Sequence, residues 1–135
     1  MGIRTYLASN FDYDIVDEFL DHYGMMTESM EVMIIDLSKP DMHTRSLNEL
    51  FRVFHNIKSA TGYLQIEQMS RLAAFVEENL EELRRINKPV NDDVITWLLK
   101  ISDMFAQWND DLQNDNELSH IKYSLLKTPD LEKYN

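Results

Sequence analysis

The segment Phe51-Arg52-Val53-Phe54-His55-Asn56-Ile57-Lys58-Ser59-Ala60-Thr61-Gly62 combines a histidine, a lysine three residues on and a run of small side chains. On a helix turning about 100° per residue, its inner face centres between Phe54 and Phe51, and His55 falls at the edge of that face. The imidazole is therefore expected to be partly exposed. Ser59 lies one turn on and Gly62 almost beneath the ring two turns on, so the neighbouring surface is nearly free of side chains. Lys58 sits on one flank, and Asn48 and Arg52 line the same strip on the other. An open path to a ring nitrogen, with a cation in reach, is what a phosphoryl acceptor requires: in-line approach and charge compensation for the oxygens. The same spacing also suits a plain helical histidine whose small neighbours allow close helix packing. Spacing alone leaves both readings open.

Other chemistries find little support. The histidines His22, His43, His55 and His120 include no i, i+4 pair, and HExxH and Cys/His clusters are absent, so no zinc or iron centre is expected. A di-iron bundle site needs Glu-x-x-His on two helices, a pair the chain lacks. The phosphate-cradling GxxxxGK[ST] loop and the GxSxG elbow are missing too, which argues against an autonomous enzyme. A formal net charge of -11 disfavours nucleic acid and anionic membrane surfaces as partners, since both select clustered Lys and Arg. No apolar run spans a bilayer and no signal-peptide pattern is present; with no cysteine as well, a soluble, cytoplasmic protein is expected.

These residues must be positioned by helices. A chain of 135 residues suits one domain, and only 3 glycines and 3 prolines leave few turns, so the class is all-α. Val16, Phe19, Tyr23, Met26, Met30, Met33 and Leu37 alternate steps of three and four, predicting a first helix from about Asp14 to Ser38 that keeps its phase across Gly24. Pro40 interrupts, and Thr44 or Ser46 is expected to cap a second helix ending near Leu64. Ile66, Met69, Ala73, Val76, Leu80 and Leu83 predict a third, ended by Pro89. Asn91 or Asp92 would cap a fourth carrying Val94, Trp97, Ile101, Met104, Trp108 and Leu112. Four such stripes with short joints predict an antiparallel four-helix bundle over residues 12–114. Residues 115–135 form a C-terminal extension, in which Leu118, Ile121 and Leu125 suggest a short extra helix that packs on the bundle or contacts a partner. Asp110, Asp111, Asp115 and Glu117 read as a solvent-exposed joint, Trp97 and Trp108 as core anchors, and most methionines as core filling.

The stretch from Leu47 to Arg84, LNELFRVFHNIKSATGYLQIEQMSRLAAFVEENLEELR, resembles the histidine-containing phosphotransfer (HPt) family. It is most similar to the N-terminal phosphotransfer domain of CheA-type chemotaxis histidine kinases. Arg52, His55, Lys58, Ala60, Gly62 and Glu77 match the family pattern, and the likeness extends over roughly Asp14 to Leu112. Ser59 and Gln65 stand where the family has glycine, and Ala74 stands where kinase-linked members often have a second histidine. The resemblance implies that His55 takes the phosphoryl group on Nε2, that Lys58 neutralises its charge, and that Glu77 accepts a hydrogen bond from Nδ1. It implies a module of two-component phosphorelays with no ATP site of its own and no bound cofactor, Mg²⁺ being held by the partner. The partners would be a histidine kinase and a response-regulator receiver domain docking around Phe51, Arg52, Ser59 and Gly62, with the chain itself a monomer. An alternative is an HPt-like module that binds or sequesters receivers without being phosphorylated. Another is the first domain of a chemotaxis kinase, although no dimerisation, ATP-binding or adaptor segment is visible within the chain.

Overall fold

Each predicted apolar stripe becomes the buried side of a helix. In the computed structural model, which describes residues 2–132, the elements are α1 (Ile3–Asn10), α2 (Tyr13–Asp36), α3 (His43–Tyr63), α4 (Glu67–Ile86), α5 (Asp92–Gln113) and a 3-10 turn (Tyr123–Leu126). No strand occurs among the described residues. Short joints reverse the chain between α2, α3, α4 and α5, giving an all-α antiparallel bundle. The α3 and α4 helices pack most closely, and α2 bridges α3 and α5. Across the centre, Phe54 of α3 meets Phe105 of α5 edge to face at 5.3 Å, and Phe105 meets Trp108 at 5.1 Å. The helix α2 runs through Gly24 unbroken, and its Val16, Phe19, Tyr23, Met30 and Ile34 are buried.

Helix ends differ from expectation in one place. α3 starts at His43, so Thr44 and Ser46 lie inside its first turn rather than capping it; the N-cap is Met42, without a side-chain bond. The backbone explains this, because Met42 N and His43 N already bond to Lys39 O at 3.1 and 2.9 Å and begin the helical turn upstream. Asn91 does cap α5, its Oδ1 accepting from Val94 N at 3.0 Å.

At the end of α3, Gln65 N bonds to Gly62 O and Ile66 N to Thr61 O, with Gln65 left-handed at φ 58. This is a Schellman ending, which favours glycine at the left-handed position. Glycine would suit this place without strain, and Gln65 bears a conformational cost. Gln65→Gly is expected to stabilise the fold by about 1 kcal/mol, visible as a higher urea midpoint with an unchanged slope. No gain would remove the backbone explanation.

Two features escaped the periodicity. Residues 3–10 form α1, which contributes one buried side chain, Leu7, too few for a legible stripe. Its N-terminus is satisfied from elsewhere in the chain: Asp115 accepts from Thr5 N at 2.9 Å and from Thr5 Oγ1 at 2.5 Å, and Ile3 N bonds to Asn116 O at 2.8 Å. Gly2 lies so close to Asp115 that a Cβ there would collide with its backbone.

The acidic joint is the second correction. Asp110 and Glu117 are exposed, but Asp111 is buried and Asp115 half-buried. Asp115 turns left-handed at φ 52 and Asn116 N bonds back to Asp111 O, folding the chain over so that Ser119 N donates to Asp111 Oδ2 at 2.8 Å. Burial works to raise the Asp111 carboxyl, but the bonds it accepts from Ser119, Gln107 and Asn116 prevail and hold it below the ordinary aspartate value. The extension then runs as a strap across α4 and α5. Trp108 Nε1 donates to Ser119 O at 2.8 Å, Trp97 Nε1 to Leu125 O at 2.9 Å, and Ile121 N to Gln68 Oε1 at 2.9 Å. Leu118 and Ile121 pack on the core without forming a helix, and only Tyr123–Leu126 coils, with Leu125 buried. The last three residues of the predicted extension lie outside the described residues.

Candidate functional site

The buried side chains Phe54 and Ile57 fix the rotation of α3 and leave His55 on its outer edge, its side chain 53 % exposed. The close packing of α3 on α4 brings Glu77 up beside it. Glu77 Oε2 lies 3.0 Å from His55 Nδ1, and Glu77 Oε1 accepts from Lys58 Nζ at 2.7 Å. A carboxylate only accepts, so the Nδ1 partner of Glu77 carries the ring proton, and the neutral imidazole keeps its lone pair on Nε2. Three residues separated by up to 22 positions thus form one chain of hydrogen bonds.

Burial tends to raise the Glu77 carboxyl, but hydrogen bonds from Lys58 and His55, with the charges of those groups, outweigh it. The carboxyl is held below the ordinary glutamate value of 4.5. As pH falls, the unfolded chain therefore takes the proton first. The stability this group contributes is whole above about 4.5 and is lost as pH drops through the folded value. A carbon-13 titration of the Glu77 carboxyl should accordingly show a midpoint below 4.5. A midpoint at or above that value would mean the Lys58 and His55 bonds do not hold in solution.

Phe51, half-buried, lies nearly parallel to the His55 ring, at 12° and 6.5 Å between centroids. Arg52 is exposed beside it, and the two residues join Asn48, His55 and Arg84 around a shallow concavity of about 320 Å³. Ser59 falls on the other flank of α3. It lines a groove of about 600 Å³ between α2 and α3, with Ile15, Phe19, Met25 and Tyr63 among its walls. Gly62 is exposed, and a Cβ added there would meet only Ser70 Oγ, at an ordinary contact distance of 3.5 Å. Close packing of α3 on α4 therefore does not require glycine at this position. Sequence spacing had not singled out Arg84. It lies two turns beyond Glu77 on α4, and that repeat was the available signal.

The family model described as the Hpt domain matches residues 14–115 of this chain. The chain belongs to the Hpt-domain family. Such domains are the histidine phosphotransfer modules of two-component signalling, and the all-α bundle accords with membership. The chain is 27 % identical over 104 residues to the chemotaxis protein CheA of Salmonella typhimurium, a match covering 77 % of this chain and 16 % of that protein. It is 24 % identical over 91 residues to the sensor histidine kinase CheAY of Helicobacter pylori, covering 67 % of this chain and 11 % of the relative. With CheA of Borreliella burgdorferi it shares 22 % over 116 residues, 83 % of this chain and 13 % of the relative. The Hpt-domain chain thus spans a small fraction of the length of these relatives. No solved structure matches it. No helix among the described residues is long and apolar enough to cross a membrane.

Proposed function

We propose that His55 is the phosphoryl acceptor of a two-component relay, receiving the group from a histidine kinase or a receiver aspartate and passing it to a receiver aspartate. The observation that carries this is the Glu77 bond to Nδ1, which leaves Nε2 as the nucleophile. The Nε2 lone pair attacks phosphorus, the bond from phosphorus to the leaving oxygen breaks, and the Nδ1 proton stays in place against Glu77. The carboxylate then balances the positive charge acquired by the ring. Return of the phosphoryl group to an aspartate reverses these steps.

The receiver docks over α3 around Phe51, Arg52, His55, Ser59 and Gly62. The bareness of Gly62 allows close approach to the ring, and the apolar groove beside Ser59 extends the same surface onto α2. A module that binds receivers without phosphorylation remains the second reading. It rests on Ser59, whose side chain stands where the family leaves a glycine; Gln65 answers to a helix ending and favours neither reading.

Incubation with a promiscuous histidine kinase, its receiver and labelled ATP tests the proposal, with His55→Gln in parallel. Acid-labile label on the wild type that vanishes in the variant is expected. Receiver binding with no label from any kinase or receiver of the source organism would instead establish the second reading.

A further inference from the structure

We infer that Arg84, together with Arg52, binds the phosphoryl oxygens once His55 carries them, an inference that rests on the phosphotransfer reading above. Lys58 is already committed, its Nζ 2.7 Å from Glu77 Oε1. A phosphoryl group brings nearly two further negative charges at neutral pH to a site that already holds a carboxylate. One shared ammonium cannot balance both. Two further cations, Arg52 and Arg84, line the concavity beside His55 together with Asn48 and Phe51.

Arg84 is seated for this role by Phe51. Its guanidinium carbon lies 4.5 Å from the centroid of the Phe51 ring, and the same ring lies nearly parallel to the imidazole. Phe51 is thus a platform shared by the acceptor and the cation. The other hold on Arg84 is Glu81 at 3.0 Å, an exposed pair one turn away on the same helix. Such pairs contribute little, so the guanidinium can exchange a carboxylate for a phosphoryl group, whose oxygens suit its forked donors. The placement also accounts for a concentration of Arg52, Lys58 and Arg84 around one ring in a chain of net charge -11.

Phosphoramidate provides a test that needs no kinase. Nε2 forms its bond to phosphorus as the P–N bond of phosphoramidate breaks, ammonia departs and Nδ1 keeps its proton. Charging of His55 and the phosphorus-31 titration of the resulting phosphohistidine are compared in wild type, Arg84→Met, Arg84→Lys and Glu81→Gln. The Met variant is expected to charge about tenfold more slowly, the scale of one lost charge-assisted hydrogen bond, and to raise the phosphoryl titration midpoint. The Lys variant should restore most of both, and Glu81→Gln, which frees Arg84, should charge faster than wild type. A Met variant that charges at the wild-type rate with an unmoved midpoint overturns the inference and leaves the acceptor role of His55 standing. Absence of phosphohistidine in the wild type itself, with phosphoramidate and with kinase alike, overturns both.

Discussion

Glu77→Gln is expected to slow phosphoryl uptake by His55 at least a hundredfold, and to do so at least as severely as Glu77→Ala. The carboxylate accepts from two donors, His55 Nδ1 at 3.0 Å and Lys58 Nζ at 2.7 Å. A glutamine has one oxygen to offer. Lys58 has only donors, so the amide oxygen turns toward it and the amide N–H turns toward the ring. Nδ1 must then accept, the ring proton moves to Nε2, and the nucleophilic lone pair is occupied. Alanine leaves the tautomers free to exchange and so retains some competent ring. Positioned proton partners of this kind are worth roughly 10²- to 10⁴-fold in rate. Stability should fall by about 1–3 kcal/mol, because the Glu77 side chain is only 16 % exposed and its bonds are charge-assisted. Stopped-time labelling with urea melts of both variants measures the two quantities together. Equal rates for Gln and wild type would show that the Glu77 contact does not set the tautomer.

The largest effect on stability is expected at Trp108. Its side chain is fully buried, meets Phe105 edge to face at 5.1 Å, and donates to Ser119 O at 2.8 Å. Trp108→Ala removes a ring from the centre of the core and the donor that fastens the strap, at a cost of about 3–5 kcal/mol. Trp108→Phe keeps most of the ring and loses the donor, costing about 1–2 kcal/mol. In the Phe variant, amide exchange should accelerate at Ser119, whose N–H is held by Asp111. Phosphoryl uptake at His55 should be unchanged there, because the strap lies across α4 and α5 while His55 stands at the outer edge of α3. Urea midpoints and residue-resolved exchange decide it, and an alanine variant as stable as wild type would contradict the core role of this ring.

The four bundle helices were legible because long amphipathic stripes fix both helix and rotation, and rotation is what placed His55 on the edge of α3. Lys58, one turn away on the same helix, was legible for the same reason. Glu77 was not accessible to spacing, since its contact depends on how α4 docks against α3; only the family likeness pointed to it. For Arg84 the two-turn repeat from Glu77 gives only the shared face of α4, and its place beside His55 depends on the Phe51 ring that carries it. Helix α1 and the strap were illegible because their order comes from single long-range contacts. Asp111 and Asp115 look like solvated charge in the sequence, yet each accepts backbone N–H bonds from a segment that reaches it only after folding.

Both indoles of the chain donate to carbonyls of the strap, at Ser119 and Leu125, and neither borders the His55 concavity. The intrinsic fluorescence of this protein is therefore an optical gauge of one side of the bundle. Emission should shift when the strap lifts from α5 and stay constant when His55 is charged or a receiver docks. A tryptophan introduced at an exposed position of the α2/α3 groove, such as Met25, would give the opposite side its own signal, so that strap opening and partner docking could be followed separately in one molecule.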